Sequence, residues 1–241
     1  MQNIPTPLSG AHGTLSVPQH IVLFPDGNRR WARQKGLNTL EGHKQGYINL
    51  LDFSDWCRKR GVKVLTAFGF STENWNRTKE EVDYLMKLLE TCLIDNLERY
   101  KKDGVRVRVI GQRERLPKSL QEAIKKTESE TKDNSNLFLN LAISYGGKWD
   151  ILTAVKNIVK EGIPADQIDE KVIEEHLSTV GLVAPDFIIR AGGEMRMSNF
   201  VLWQAAYSEL YFSPKFWPGF TEQDLDVALV EFDRRSRRFG K

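Results

Sequence analysis

Short apolar runs alternate with amphipathic stretches along nearly the whole chain, and this alternation restricts the folds that are open to it. Six runs have the length and composition of buried strands. They are 20–24, 62–70, 105–110, 137–145, 186–190 and 210–212. Strands that alternate with helices predict right-handed crossovers and a mainly parallel sheet of six strands, with helices on both faces. The predicted fold class is therefore α/β.

Apolar residues at steps of three and four predict the helices between these strands. One helix ends at Gly61, a long one covers 79–102, one follows Pro117, and the others cover 149–160, 169–177, 203–207 and the stretch after Thr221. The length of 241 residues suits one large domain with its own core. We predict a single domain over 18–241, preceded by an N-terminal tail, 1–17, that contains Pro, Gly and Ser and is expected to be flexible.

Charge and cysteine content exclude several classes of function. Lys and Arg number 35 against 32 Asp and Glu, and the net charge of +3 is too small to indicate a nucleic-acid-binding protein. The two cysteines, Cys57 and Cys92, lack the spacing of a zinc site and indicate buried thiols in a reducing compartment. No apolar run is long enough to span a membrane. We expect a soluble cytoplasmic protein.

Polar clusters directly follow three of the predicted strands. They occupy 26–31, 71–77 and 190–198. In an open parallel sheet, ligands bind beyond the carboxyl ends of the strands, which all lie at the same edge. Three independent solvated loops would not be expected to share that edge. The pattern therefore predicts a binding site there.

The first cluster offers groups for a metal ion and for a phosphate. Asp26 can hold a hard divalent cation, and the backbone N–H groups of Gly27 and Asn28 can face an anion if a helix begins there. Arg29 or Arg30 can bind phosphate oxygens with two hydrogen bonds. On these residues alone, an Asp-Gly turn with solvated arginines explains the cluster at least as well.

The third cluster contains arginines on both sides of a Gly-Gly turn. Arg190, Arg196 and the hydroxyl of Ser198 can surround one diphosphate, and Arg30 with Arg77 can hold a second. A single arginine would more simply form a surface ion pair. Four arginines at strand ends beside an aspartate favour diphosphate binding.

Two further residues have two interpretations each. Glu209 is an acid in an apolar run, so it is either a second carboxylate for a cation or a core acid paired with an arginine. His43, next to Gly42, is either a phosphate donor or a contact at the start of a helix. Both alternatives stay open at the level of sequence.

Six ordered motifs between residue 18 and the C-terminus resemble those of the cis-prenyltransferase family. They are the turn 26–31, the loop 71–77 with Glu81, the run 140–147, the stretch 190–200 with Glu194, the strand 209–212, and the ending 237–240 with Arg238 and Gly240. Members that make undecaprenyl diphosphate are the most similar. The resemblance implies a homodimeric, magnesium-dependent enzyme that condenses isopentenyl diphosphate, in cis geometry, with an allylic diphosphate such as farnesyl diphosphate.

The resemblance also implies roles for individual residues. Asp26 would bind Mg²⁺ together with a diphosphate, and Glu209 would complete the metal site. The candidate catalytic residues are Asp26, Ser71 and Asn74, on the first two clusters. The candidate substrate-binding residues are Gly27, Asn28, Arg29, Arg30, Trp31, His43, Trp75, Arg77, Glu81, Arg190, Glu194, Arg196, Ser198, Arg238 and Gly240. Of these, Arg190, Arg196 and Ser198 would bind isopentenyl diphosphate. The allylic diphosphate would be held by Gly27, Asn28, Arg30 and Arg77, with a contact from His43. The resemblance places Ser71, Asn74 and Trp75 along the reacting centre.

The implied product is a long-chain, undecaprenyl-like polyprenyl diphosphate, the precursor of a lipid carrier for cell-wall glycan synthesis. Its chain needs a dry tunnel, which the predicted helix 79–102 would line over about 36 Å at about 1.5 Å per residue. Leu85, Leu89 and Cys92 on this helix include no large aromatic, and Leu137 is the predicted floor. We expect a product near undecaprenyl length, with a short- or medium-chain synthase as the alternative. Release of a lipid product implies a peripheral membrane contact.

The chain departs from the family pattern at Pro25, Arg29, Thr39 and Met195. Thr39 stands where an arginine often helps to bind the allylic diphosphate, and Arg29 can replace that charge. These departures concern the preferred starter and its affinity more than the class of reaction.

Two other functions compete with this one. A phosphohydrolase of the haloacid-dehalogenase type needs a second aspartate two residues after the first, where this chain has Asn28. A non-catalytic partner subunit of a prenyltransferase loses the first-motif aspartate, whereas Asp26 and Glu209 are both present here. An active transferase is the interpretation that these residues favour.

Overall fold

The computed structural model describes residues 15–235, which form an all-parallel sheet of six strands with helices on both faces. The strands are β1 (His20–Phe24), β2 (Val64–Ser71), β3 (Val105–Ile110), β4 (Leu137–Tyr145), β5 (Phe187–Arg190) and β6 (Glu209–Phe212). Their order across the sheet is β3-β4-β2-β1-β5-β6, and every neighbouring pair is parallel. The predicted α/β fold with a parallel six-stranded sheet is confirmed.

Eight α-helices lie within residues 15–235. They are α1 (Asn28–Gln34), α2 (Thr39–Lys59), α3 (Lys79–Asp95), α4 (Leu97–Asp103), α5 (Lys118–Thr131), α6 (Gly147–Glu161), α7 (Glu170–His176) and α8 (Glu222–Asp233). A 3₁₀ turn, Thr72–Asn76, follows β2 directly. The predicted start of the last helix is confirmed, because Thr221 and Asp224 form a capping box there.

Two helix predictions are wrong. The helix expected over 79–102 breaks at Asn96, whose side chain donates to the Cys92 carbonyl and competes with the regular backbone bonding. The stretch 203–207 forms turns instead of a helix. There Gln204 donates hydrogen bonds to Asp150 and Thr179. Residues distant in sequence therefore fix the conformation of this stretch.

The sheet separates two apolar layers because successive strand residues point to opposite faces. In β1, Ile21 and Leu23 belong to the larger layer, which α2, α3, α5 and α8 cover. Val22 and Phe24 belong to the smaller layer on the other face, where Trp149 of α6 packs and α7 lies against α6. The two layers therefore place α2 with α3, and α6 with α7, on opposite sides of the sheet.

The ends of the described chain come together. The backbone N–H of Ser16 donates to the Asp233 carboxylate at 2.8 Å, and Val17 packs against the core. Residues 1–14 and 236–241, which hold most of the predicted tail as well as Arg238 and Gly240, lie outside the described residues, so the predicted division at residue 18 stays a prediction. None of the helices within 15–235 combines the length and hydropathy needed to cross a membrane.

α1 and α2 pack at very close range through glycines. A Cβ placed on Gly42 would lie 2.2 Å from the Asn28 carbonyl oxygen, and one on Gly46 would lie 2.3 Å from the Asn28 side-chain oxygen. The Trp217 indole donates to the Gly46 carbonyl at 2.6 Å, which ties the stretch before α8 to the same helix. The absence of side chains at these two positions lets α1 hold the turn that follows β1.

We predict that Gly42→Ala destabilises the fold by about 1–3 kcal/mol, because the added methyl meets a backbone carbonyl that cannot move independently. Gly219→Ala is the matched control, since its Cβ meets no atom closer than 3.7 Å. Urea denaturation followed by circular dichroism gives both values. Equal midpoints for the two variants would contradict the close packing of α1 on α2.

His20 is buried at the start of β1 and holds two other segments. Its Nδ1 lies 2.7 Å from the Val183 carbonyl oxygen, to which it donates, and its Nε2 lies 2.8 Å from the Thr66 hydroxyl, from which it accepts. Burial lowers the pKa of His20 to about 4, so the ring is neutral in the folded protein. The unfolded chain takes up a proton near pH 6.5 instead.

We predict that acid destabilises the protein through this histidine. The unfolded state binds the additional proton between pH 6.5 and 4, so stability falls as the pH falls through that window, by about 2 kcal/mol between pH 7 and pH 5. His20→Gln cannot titrate, and its stability is expected to change less over the same interval. Thermal melts of both proteins at the two pH values measure this, and parallel losses would refute the assignment to His20.

Candidate active site

The carboxyl ends of β1, β2 and β5 bring the three predicted polar clusters to one edge of the sheet. Phe24 of β1 pairs with Arg190 of β5, so the turn after β1 begins beside the last residue of β5. The Asp26 N–H donates to the Phe24 carbonyl at 2.9 Å, and the Trp217 N–H donates to the Asp26 carbonyl at 2.9 Å. Both bonds hold the Asp26 turn tightly, and the predicted gathering of the clusters is observed.

Asp26 and Arg190 form the centre of this edge. The Arg190 guanidinium is only 4% exposed and donates to the Asp26 carboxylate at 2.8 Å and to the Ser198 hydroxyl at 2.9 Å. It also donates to the Arg196 carbonyl and lies over the Phe24 ring. Its Nε is buried without a partner among the described residues. A buried cation of this kind needs an anion beside it, which Asp26 supplies.

A second guanidinium approaches Asp26 from α1. Arg30 donates to Asp26 at 3.1 Å and to Glu194 at 2.9 Å, and its guanidinium lies 5.2 Å from the centre of the Phe216 ring. Glu194 also accepts from Arg196. The Asp26 carboxylate, which is 33% exposed, is thus held between two arginines while one side stays open. Gly27 allows this approach, with φ of 100° and Phe216 2.7 Å from where its Cβ would stand.

A buried carboxylate organises the basic groups on the other side of Asp26. Glu81 of α3 is 8% exposed and accepts from His43 and Arg77, each at 3.0 Å, while Arg29 lies 3.9 Å away. Burial lowers the pKa of His43, so the ring is neutral and donates its Nε2 proton to Glu81. Burial also lowers the pKa of the Arg77 guanidinium from its high ordinary value. Glu81 therefore positions these groups.

The loop after β2 divides its side chains between two directions. The Asn74 amide oxygen accepts from the Ser71 N–H at 3.1 Å, and both residues line the larger of the two cavities at this edge. Trp75 turns away: its indole donates to Ser144 at 2.9 Å, and Arg115 lies over its ring. The prediction that Trp75 contacts substrate is not supported by this placement, because Arg115 covers its ring and Ser144 of β4 accepts its N–H.

The second cluster is joined to Asn199, the residue that directly follows the third cluster. Asn199 donates from its side-chain nitrogen to Glu73 at 2.8 Å and accepts from the Lys148 N–H at 2.9 Å. Ser198 and Asn199 both have positive φ, which holds this tight turn against the end of β4. The loop after β5 thereby also contacts the first turn of α6.

Two cavities open at this edge and share a wall. The larger has a volume of about 620 Å³, and the smaller about 370 Å³. The larger lies between β2, α2 and α3, and its lining beyond the shared wall is mainly apolar, including Tyr47, Leu50, Phe68, Phe70, Leu85, Leu88, Leu89 and Cys92. The smaller is basic, with Arg29, Arg30 and Arg33 in its lining. The shared wall is Pro25, Asp26, Asn28, His43 and Arg77.

Several predicted residues lie elsewhere. Leu137 is fully buried at the amino end of β4 and lines neither cavity, so these cavities do not support its predicted place at the floor of a tunnel, which stays a prediction. Trp31 lies beside Gly219, outside both linings, and its predicted contact with substrate is not supported. Arg196 is directed to Glu194 at the rim, outside both linings as well.

Glu209 lies at the opposite edge of the sheet. It begins β6 in register with Phe187, three residues before Arg190, and pairs with Arg235 at 3.1 Å. At about 3.3 Å per residue, this puts it about 10 Å back along the strands from the Asp26 edge. Within one chain Glu209 thus lies away from Asp26 and forms the alternative pair of an acid with an arginine, and its predicted part in a metal site stays a prediction.

Sequence reasoning missed three residues that matter here. Arg33 follows Arg29 and Arg30 by one helical turn, a spacing that gives them one face of α1. Tyr47 lies in the apolar repeat of α2, and such a repeat predicts packing but not a place in a cavity. Phe216 had no sequence signal, because it reaches the site from a loop close to α8.

The donor set fits a magnesium ion that is held mainly by its substrate. Within residues 15–235, no group of three or more His, Cys, Asp and Glu side chains is arranged to hold a metal. Mg²⁺ is commonly bound through one or two carboxylates with phosphate oxygens and water. Asp26 offers such a carboxylate between arginines that attract a diphosphate. The edge can therefore bind a metal-diphosphate complex, although the described residues of one chain do not complete a metal site by themselves.

Comparison with known proteins agrees with this geometry. Residues 24–240 match the family model described as putative undecaprenyl diphosphate synthase. An isoprenyl transferase of Aquifex aeolicus is 45% identical over 95% of this chain and 98% of its own length. A chloroplastic (2Z,6Z)-farnesyl diphosphate synthase of Solanum lycopersicum is 48% identical over 93% of this chain and 79% of its own.

A solved structure is similar over almost the whole fold. Lavandulyl diphosphate synthase from Lavandula x intermedia, crystallised with dimethylallyl diphosphate, superposes with a TM-score of 0.89 at 38% identity, over 93% of this chain and 99% of that one. The relatives are all prenyl diphosphate synthases, and the match to the family model covers nearly the whole catalytic domain predicted from sequence. The chain belongs to the cis-prenyltransferase family, the family of undecaprenyl diphosphate synthase.

Proposed function

We propose that the protein is a magnesium-dependent cis-prenyl diphosphate synthase that joins isopentenyl diphosphate to an allylic diphosphate. The observation that carries this proposal is the junction of a basic cavity and an apolar cavity at Asp26. An allylic diphosphate has the same division, with an anionic head and a hydrocarbon tail. The shared wall would hold the reacting carbon between them.

The arginines divide into two groups that suit two diphosphates. Arg29, Arg30 and Arg77, with His43, would bind the allylic diphosphate in the smaller cavity. Arg190 and Ser198, with Arg196 at the rim, would bind the diphosphate of isopentenyl diphosphate. The two sites meet at Asp26, which contacts Arg30 on one side and Arg190 on the other.

Substrate binding would exchange the partners of Asp26. Diphosphate oxygens compete for Arg30 and Arg190, so the arginines turn toward the substrates and the carboxylate becomes available. Asp26 would then hold Mg²⁺ against a diphosphate, and the ion, when bound, supplies positive charge that stabilises the leaving group. The arginines contribute to the same stabilisation.

The bond changes follow from this arrangement. The allylic C–O bond breaks, the double bond of isopentenyl diphosphate supplies electrons for the new C–C bond, and a proton leaves the joined product. The apolar lining of the larger cavity keeps water from the allylic cation. Ser71 and Asn74, which line this cavity, would position the substrates at the shared wall.

We also propose that the chain acts as a homodimer. α6 carries an exposed apolar stripe, Leu152, Val155 and Val159, on the side of the sheet opposite to the cavity between α2 and α3. α6 carries exposed lysines and the neighbouring α7 carries exposed glutamates, so two copies related by a twofold axis can match opposite charges. A second copy can cover this stripe without closing the cavity. Membrane contact for product release would involve the α2 and α3 side.

A cytoplasmic location is part of the proposal and is supported by the two cysteines, both of which are buried as thiols. A role in making the lipid carrier for cell-wall glycans would require a product of undecaprenyl length. The depth of the larger cavity bears on that requirement.

We predict that Asp26→Asn lowers turnover by at least about 100-fold, because the amide cannot hold the metal-diphosphate complex. The amide keeps the size of the carboxylate but leaves the buried Arg190 guanidinium without its anion, so some loss of stability is expected, and circular dichroism melts check that the variant is folded at the assay temperature. Asp83→Asn, at an exposed pair with Lys79, is the control. Incorporation of labelled isopentenyl diphosphate with Mg²⁺ and an allylic diphosphate measures turnover; near-normal incorporation by Asp26→Asn would exclude the proposed role.

We predict that removal of residues 238–241 lowers activity at least tenfold and weakens isopentenyl diphosphate binding. The family resemblance places this basic ending at the partner's active site, where Arg238 would add a guanidinium to the diphosphate site. Removal of Lys241 alone is the control. Sedimentation and titration calorimetry test the two parts, and an active monomer or a silent truncation would reject the proposal.

A further inference from the structure

The larger cavity runs along α3, and Cys92 is the last residue of that helix in its lining. Leu85, Leu89 and Cys92 follow one another along the wall, and the lining contains no residue of α3 or α4 after Cys92 among those described. From Leu85 to Cys92 the helix rises by about 10 Å at about 1.5 Å per residue. This wall is much shorter than a continuous helix over 79–102 would provide.

The end of α3 explains why the wall stops there. The last carbonyls of a helix have no partner in the next turn, and α3 ends at Asp95 with Asn96 as its cap. The Cys92 carbonyl is one of these groups. It accepts from the Asn96 side chain at 3.0 Å and from the Tyr47 hydroxyl at 3.2 Å.

Tyr47 crosses the space between α2 and α3 to reach this carbonyl. Its hydroxyl also accepts from the Asn96 side chain at 2.6 Å, so three hydrogen bonds link the three groups. The buried Tyr100 of α4 lies next to the same hydroxyl. The ring is thus fixed at its far end while its face lines the cavity.

We infer that Tyr47, held by Asn96 and the Cys92 carbonyl, closes the far end of the larger cavity and limits the enzyme to short products. The inference rests on the proposed function and makes it more specific. It replaces the expectation of undecaprenyl length, whose support was the absence of a large aromatic along α3. The aromatic residue comes from α2 instead. The pattern of residues along α3 carries no information about it.

The volume of the cavity supports the same limit. At about 30 Å³ for each water-sized group, about 620 Å³ holds about 20 such groups, against about 55 carbon atoms in an undecaprenyl chain. A chain of about four five-carbon units would fill the space. Further addition would push the chain against the Tyr47 ring.

Product length is the first test of this inference. With Mg²⁺, labelled isopentenyl diphosphate and dimethylallyl diphosphate, the wild type is expected to stop at about four units or fewer, and Tyr47→Ala to add at least two more. Tyr47→Phe keeps the ring and is expected to stay within one unit of the wild type. Ile48→Ala, on the exposed face of α2, is the matched control and is expected to leave the length unchanged.

Binding gives a second readout that needs no turnover. Saturated n-alkyl diphosphates of increasing length are titrated into the wild type and into Tyr47→Ala. Each additional methylene that enters the cavity is expected to tighten binding about fourfold. This gain should end at a shorter chain in the wild type than in Tyr47→Ala, with circular dichroism melts confirming that both proteins are folded.

The outcomes separate this inference from the proposed function. Incorporation of isopentenyl diphosphate with a product length that Tyr47→Ala does not change would overturn the role of Tyr47 and leave the proposed function standing. A wild-type enzyme that makes a product of undecaprenyl length would also overturn the role of Tyr47 and leave the proposed function standing. No incorporation by any protein would reject the proposed function, and the alkyl diphosphate series would still decide whether Tyr47 closes the cavity.

Discussion

The ion pair between Arg190 and Asp26 is the interaction on which this edge of the sheet depends. Arg190 is a buried cation at the end of β5, and a buried charge is tolerated only beside an opposite charge and with its hydrogen bonds satisfied. The parallel pairing of β1 and β5 brings the Asp26 turn to it. Ser198 and the Arg196 carbonyl take further protons of the same guanidinium and so bend the following loop around it.

The close packing of α1 on α2 has a comparable importance for the basic cavity. Gly42 and Gly46 let the Asn28 region approach α2, which brings Arg29 and Arg30 above His43. Glu81 then holds His43 and Arg77 from α3. Polar and charged groups from α1, α2, α3 and the loop before α3 are thereby fixed around one space before any substrate arrives, so little rearrangement of the chain is needed to receive a diphosphate.

The two cavities, to which the proposed function assigns the chemistry and the specificity, are built from different parts of the fold. The basic cavity is built from turns and helix starts at the strand ends, where backbone and charged groups are accessible. The apolar cavity is built from helix faces beneath that edge, and its depth depends on where α3 ends. Because these parts are separate, relatives with the same basic site can differ in the length of the chain that they accommodate.

The sequence by itself determined the six strands, most of the helices between them, the α/β class and the edge at which the polar clusters meet. Periods of two and of about 3.6 residues report locally on which face is buried, and parallel strands all end at the same edge. Asp26, Arg30, Arg77 and Arg190 were identified on that basis together with the family motifs, and they do come together.

Only the tertiary structure decided how side chains from different elements face one another. The sequence shows Glu209 only as an acid in an apolar run. Its register in β6 puts it at the amino ends of the strands, beside Arg235. Trp75 belongs to a polar loop, yet Ser144 and Arg115 hold its ring away from the cavity. Tyr47 lies on α2 and contacts the end of α3, a helix that begins 40 residues after α2 begins. Such contacts depend on how helices are placed around the sheet, and local periodicity carries no information about that placement.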